Sequence, residues 1–231
     1  MSISPIEYLQ NLKSTFQEHG NPVTAEGQMN YMRNQFEFYG LKAKEWMGLS
    51  KQAFKDIGMF DGDNLKSFLQ LCYEDEYREI QYAGTEMLQR KMKSEKEDLI
   101  FLLEELVTTK SWWDTVDWLA KLIGIHFQKF PNLRHPYCKK WIETDNIWLQ
   151  RTAIICHRFD KTNTDVDLLF EMIIRRADST EFFIRKAAGW ALRDLSKTFP
   201  EKVVAFIDEH PELSNLTKRE GLRLLKAKNL L

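Results

Sequence analysis

The sequence predicts an all-α fold: an α-solenoid built from repeated pairs of short helices. Three observations point there. Apolar residues recur at helical spacing in almost every segment, and no alternation of polar and apolar residues lasts long enough for a strand. Turn-forming residues interrupt the chain often enough to cut it into about a dozen short helices. A degenerate period of 35 residues underlies both patterns. At 231 residues, with 43% hydrophobic and 29% charged residues, the chain has the composition of a folded protein with a sizeable core.

Taken in order, Ile6, Leu9, Leu12 and Phe16 form a first amphipathic stripe. Asn21-Pro22 breaks the chain, and Met29, Met32, Phe36 and Phe38 continue a helical pattern to Gly40. Later breaks fall at Gly58 to Asn64, Thr108 to Ser111, Phe130-Pro131-Asn132, Asp160 to Asp165, and Phe199-Pro200. Ser111 reads as the start of a helix, with Asp114 three residues on completing a capping box and placing negative charge at the positive helix end. No linker or low-complexity tract divides these helices, so residues 1–231 are expected to form one curved domain. The run Leu99 to Leu103 stops at Glu104, far short of a membrane span, and Met1 to Pro5 lacks the features of a signal peptide. Cys72, Cys138 and Cys156 are odd in number and scattered. They suit a reducing, cytoplasmic setting and give neither a disulfide framework nor a zinc site.

The period shows when four blocks are aligned: Ile80 to Gly84, Thr115 to Leu119, Gln150 to Ile154 and Arg185 to Gly189. Ala83, Ala153 and Ala188 share one position, where a small side chain lets helices approach closely. Two helices per unit of this length indicate HEAT-like repeats, with Phe183 to Leu192 the clearest second helix. Counting from residue 105 and subtracting whole periods puts Trp113 at position 8, Arg151 at 11, Asp117 at 12 and Trp190 at 15. Those positions are the i, i+3, i+4, i+7 stripe of one helix face. Equivalent helices of a solenoid line one side, so two indoles, a carboxylate and a guanidinium should converge there.

Structural alternatives stand beside each residue. Trp118, Trp141 and Trp148 fit helix packing, the capping box accounts for Asp114, and an ion pair would account for Asp117 and Arg151 together. The five histidines show no paired-ligand spacing, and no phosphate-binding glycine loop or nucleophile elbow is present. Cys156 and His157 are adjacent, and neighbours on a helix point to different sides, so they form no nucleophile pair. Net charge is −1, yet residues 1–125 carry −6 and residues 126–231 carry +5. Arg175-Arg176, Arg185-Lys186 and Lys218-Arg219 give the second half basic surface for a polyanion, or simply solvated faces.

The chain resembles the AlkD-like DNA alkylation-repair glycosylases, a HEAT-like repeat family. The resemblance is carried by Lys110 to Asp117, Asp145 to Ala153 and Glu181 to Trp190. It extends to Asn21-Pro22, Tyr31 to Phe36 and Lys218 to Glu220. It implies that Asp117 is the catalytic carboxylate, that Trp113 and Trp190 cradle the damaged nucleotide, and that Arg151 holds a phosphate. Tyr31, Arg185, Lys186, Lys218 and Arg219 join Arg151 as DNA contacts. The implied activity is excision of cationic N3- and N7-alkylpurines from duplex DNA by hydrolysis of the N-glycosidic bond, without base flipping, as a step of base excision repair. The implied protein is a monomer that needs no metal and no organic cofactor and does not associate with membranes. The alternatives are a non-catalytic module that binds damaged or branched DNA, or a protein–protein scaffold.

Overall fold

A computed structural model describes residues 3–229. Among these residues there are thirteen α-helices and no strand. They are grouped in two compact units, Met1–Leu102 and Leu103–Leu231. The first unit holds α1 (Pro5–His19), α2 (Pro22–Tyr31), α3 (Ala43–Asp56), α4 (Gly62–Glu74) and α5 (Arg78–Lys91); the boundary falls inside α6 (Leu99–Thr108). The second holds α7 (Trp113–Lys129), α8 (Arg134–Ile142), α9 (Ile147–Ile155), α10 (Val166–Ile174), α11 (Phe182–Leu195), α12 (Pro200–Glu209) and α13 (Asn215–Ala227).

The period is real. The second helices of successive pairs, α5, α7, α9 and α11, begin at residues 78, 113, 147 and 182, at spacings of 35, 34 and 35. Ala83, Ala153 and Ala188 are buried as their shared position requires. The next position takes the demand further. A Cβ on Gly84 would lie 2.9 Å from Cys72 Cβ on α4, and one on Gly189 would lie 2.5 Å from Glu220 Cβ on α13. Close helix approach therefore fixes the small residues, and the chain is an all-α solenoid of HEAT-like repeats.

Three local expectations are corrected. In α1 the buried stripe is Tyr8, Leu12 and Phe16, while Ile6 is 57% exposed. Tyr8 wins the inward face because its ring packs on Phe60 and Phe68 and its hydroxyl donates to the Gly58 carbonyl at 3.0 Å. The second helix does not run to Gly40. It stops at Tyr31, because Arg33 and Asn34 adopt φ of 57° and 54°, in the left-handed region that ends helices. The segment that follows is held instead by Glu79, whose buried carboxylate accepts the backbone N–H groups of Tyr39, Gly40 and Leu41 at 3.0–3.1 Å. Finally, Ser111 does not cap α7. Its hydroxyl donates back to the Val107 carbonyl at 2.6 Å, and Trp112 takes the cap position with no side-chain bond. Asp114 still lies in the first turn, where its charge complements the helix dipole.

Candidate functional site

The second unit places α7, α9, α11 and α13 side by side. Trp113 opens α7 and Asp117 follows one turn later, both half-buried. Arg151, on α9, lies beneath Asp117. Its Nε donates to Asp117 Oδ1 at 2.7 Å and its Nη2 to Oδ2 at 2.9 Å, a bidentate fork. Its Nη1 donates to the Phe183 carbonyl on α11 at 2.6 Å, so one guanidinium ties three successive second helices. Arg151 is 2% exposed, whereas the Asp117 side chain keeps 19% exposure. The carboxylate is thus held from within and open outward. Each of its oxygens has a further lone pair for water or a ligand beyond the one that Arg151 takes.

Trp190, on α11, is the aromatic centre of the site. The Arg151 Cζ lies 5.5 Å from its ring centroid, Arg158 Cζ 5.0 Å, Lys186 Nζ 5.9 Å and Arg193 Cζ 5.9 Å. These distances fall within cation–π range. Two carboxylates neutralise part of this charge. Glu220 of α13 receives Lys186 at 2.8 Å and Arg193 at 3.3 Å, and Asp194 receives Arg158 at 2.6 Å. The hydrogen bond from Lys186 holds the Glu220 carboxyl below its usual range against the opposing effect of burial. Burial pushes Asp194 up, but bonds from Lys197 and Arg158 carry it below the usual aspartate value. Both acids are therefore committed as counterions. Among the described residues Asp117 has the Arg151 fork as its ion pair, and its other side is open.

Behind the ion pair, Trp112, Trp148 and Phe183 form an aromatic cluster with centroids 5.0–5.7 Å apart. One of its members, Phe183, supplies the carbonyl that accepts from Arg151. Trp141 is fully buried, as expected of a packing residue, and Trp118 and Trp148 are half-buried.

The structure thus joins Asp117, Arg151, Trp190 and Lys186 in one site, with Trp113 on the helix of Asp117. The ion pair that sequence offered as a structural alternative is present. Arg185 is turned aside, its Nε donating to the Ser179 carbonyl at 2.7 Å. Lys218 Nζ bonds the Pro211 carbonyl at 3.0 Å, and Arg219 is exposed near it on α13. Tyr31 belongs to the first unit, at the end of α2. It is 71% exposed beside a cavity of about 470 Å³ lined by Gln28, Met32, Trp46 and Tyr82. Sequence reasoning missed Arg158 and Arg193, and it gave Glu220 no role beyond its place in the stretch Lys218 to Glu220. The period carried a signal for the two arginines, since each falls at position 18, one turn beyond Trp190 on the same stripe. One further reading is corrected: α9 ends at Ile155, so Cys156 and His157 lie in a turn and both reach Cys138.

A family profile described as DNA alkylation repair enzyme matches residues 12–225. A search of curated proteins finds no match. Among solved structures, one described as a predicted DNA alkylation repair enzyme from Enterococcus faecalis is 32% identical, with a TM-score of 0.84 over 89% of this chain and 96% of that one. AlkD2 from Streptococcus mutans is 21% identical, with a TM-score of 0.62 over 96% of each chain. The smu.31 protein of Streptococcus mutans UA159 is 23% identical, with a TM-score of 0.56 over 74% of this chain and 89% of that one. The last two likenesses concern the fold.

Proposed function

The chain belongs to the DNA alkylation repair enzyme family, and we propose that within it the protein is a monofunctional DNA glycosylase. Its substrates are duplex DNA carrying N3- and N7-alkylpurines. The observation that carries this reading is the state of Asp117: an ion-paired carboxylate fixed by a buried arginine, open on one side, beside an indole ringed by cations.

A 7-alkylguanine or 3-alkyladenine is already cationic. The electrons of the breaking C1′–N bond neutralise it, so the base leaves without a general acid and without entering a pocket. The barrier lies in the positive charge that develops on the sugar. Asp117 stabilises that oxocarbenium character and orients the water that attacks C1′, taking up the proton the water sheds. The indole face of Trp113 adds cation–π stabilisation of about 0.5–2 kcal/mol, while Trp190, whose ring is already within range of four basic side chains, packs against the damaged nucleotide. Lys186, Lys218 and Arg219 contact the DNA backbone, as does Arg185 once it leaves the Ser179 carbonyl, and such contacts fix position without reading sequence. Tyr31, in the first unit, is a separate DNA contact. Arg151, expected at a phosphate, acts chiefly on Asp117 in this reading. Its guanidinium would have to be uncovered before a phosphate could reach it. The protein works as a monomer in the cytoplasm, with no metal in the reaction; among the described residues no helix is long and apolar enough to cross a membrane.

One observation favours a second reading. The bidentate fork satisfies Asp117 as a purely structural interhelix pair would, and the protein would then bind damaged DNA without turnover. Product analysis separates the two. A glycosylase releases free 7-methylguanine and 3-methyladenine from methylated duplex DNA and leaves abasic sites, whereas a binding module shifts the same DNA and releases nothing.

A further inference from the structure

Away from this site, the second unit buries two thiols and an imidazole against one another. Cys138 Sγ on α8 lies 3.8 Å from Cys156 Sγ and 3.8 Å from His157 Nε2, and the three donor atoms lie within 4.8 Å of one another. All three residues are at most 1% exposed. We propose that Cys138, Cys156 and His157 form a zinc(II) site that staples α8 to the end of α9.

Geometry supplies the first argument. A point equidistant from three atoms so spaced lies about 2.2–2.5 Å from each, the range of a zinc–thiolate bond of about 2.3 Å. The second is poor satisfaction without an ion. The sulfur contacts are all long: 3.8 Å to the partner thiol, 3.8 Å to the imidazole, and 3.7 Å from Cys156 Sγ to the Ala153 carbonyl. Thiols are weak donors and acceptors even at good distances. Buried His157 Nδ1 has no hydrogen-bond partner among the described residues, so the protein itself does little to hold the ring. The third is charge. Two thiolates, a neutral imidazole and a divalent ion sum to zero, which a dry interior accepts far more readily than isolated charges. Binding releases the two thiol protons. Three protein donors leave a fourth position for one water.

Local backbone makes the convergence possible. Helix α9 ends at Ile155, and Cys156 and His157 occupy the turn that follows, from which the Cys156 sulfur and a ring nitrogen of His157 come within 4.8 Å of each other and of Cys138. The role is structural: it lies in the packing of two helices, and zinc bound only by the folded chain adds its binding free energy to folding.

The test uses the whole reduced protein, both as expressed and after refolding with equimolar zinc. Metal analysis after gel filtration should find one zinc per chain, and cobalt(II) in its place should give thiolate-to-cobalt charge-transfer absorption. Cys138→Ser and Cys156→Ser should each lower zinc affinity at least a hundredfold, with Cys72→Ser unchanged. The wild-type cobalt spectrum stands even if a variant fails to fold. Several findings would overturn the proposal: folded, reduced wild type without stoichiometric zinc, the same cobalt spectrum in Cys138→Ser, copper(I) bound in preference to zinc, or loss of the metal in Cys72→Ser.

Discussion

Replacing Arg151 separates a positioning role from a phosphate contact, and the structure sets the scale. Arg151→Ala removes both bonds to Asp117, the bond to the Phe183 carbonyl and the cation beside Trp190. Breaking a buried ion pair by deleting one partner costs about 3–5 kcal/mol. Water reaches Asp117 on its open side, so the lower end applies, about 3 kcal/mol. For a chain of this length each kcal/mol moves Tm by about 2–4 °C, which predicts a fall of about 6–12 °C. Arg151→Lys keeps the charge but cannot form the fork, and should cost about half as much. Because it also frees the carboxylate to rotate, base release should slow at least tenfold while KM stays nearly constant. The assays are thermal unfolding, single-turnover release from methylated DNA, and DNA affinity across a salt series. A phosphate ligand would behave differently: its loss would make the slope of log K against log salt shallower by about 0.9 and leave Tm nearly unchanged. That result would refute the positioning argument.

Three further outcomes follow from the packing. Gly189→Ala forces a methyl against Glu220 Cβ and the Thr217 carbonyl, so α11 must move off α13; unfolding in denaturant should show a loss of about 1–3 kcal/mol. Glu79→Ala strips three buried N–H groups of their acceptor and should cost about 3 kcal/mol or more in the same experiment, with DNA chemistry unaltered in the fraction still folded. Glu220 has a lowered folded-state pKa, so its ion pairs contribute stability above its unfolded value, near 4.5, and lose it as pH falls through the folded value. Glu220→Gln should therefore lower Tm at neutral pH and flatten the acid limb of the Tm–pH curve; an unchanged acid limb would remove Glu220 from that account.

How much of this was legible follows from what each feature depends on. Helix pairs and their spacing were readable because close approach forces small residues at fixed intervals, as at Ala83, Gly84, Ala153, Ala188 and Gly189. The Asp117–Arg151–Trp190 association was readable for the same reason, since equivalent positions of successive repeats must neighbour one another. The stretch from Met32 to Gly40 was not. Its apolar spacing looks helical, and the bonds that hold it otherwise come from residues distant in sequence: the Glu79 carboxylate, the Asn21 and Arg78 backbone N–H groups and the Gln28 side chain. The capping box failed because Ser111 found a carbonyl in the preceding helix. The thiol–imidazole cluster was hidden because helix periodicity separates Cys156 from His157, and what joins them is Cys138, eighteen positions earlier on another helix. Arg158 illustrates both sides: the period places it correctly, although it lies in a turn that the period alone does not foresee.

The proposed role of Asp117, driving hydrolysis of the glycosidic bond of a cationic purine, is tested by release of 7-methylguanine and 3-methyladenine from methylated duplex DNA, with wild type and Asp117→Asn side by side. Loss of a fixed charge at the developing cation is of order 10²–10³ in rate. Wild type should release both bases, Asp117→Asn should release them at least a hundredfold more slowly, and the two should bind DNA nearly equally. Equal rates from the two proteins would contradict the mechanism, and no release by either, with both folded, would contradict the glycosylase reading itself.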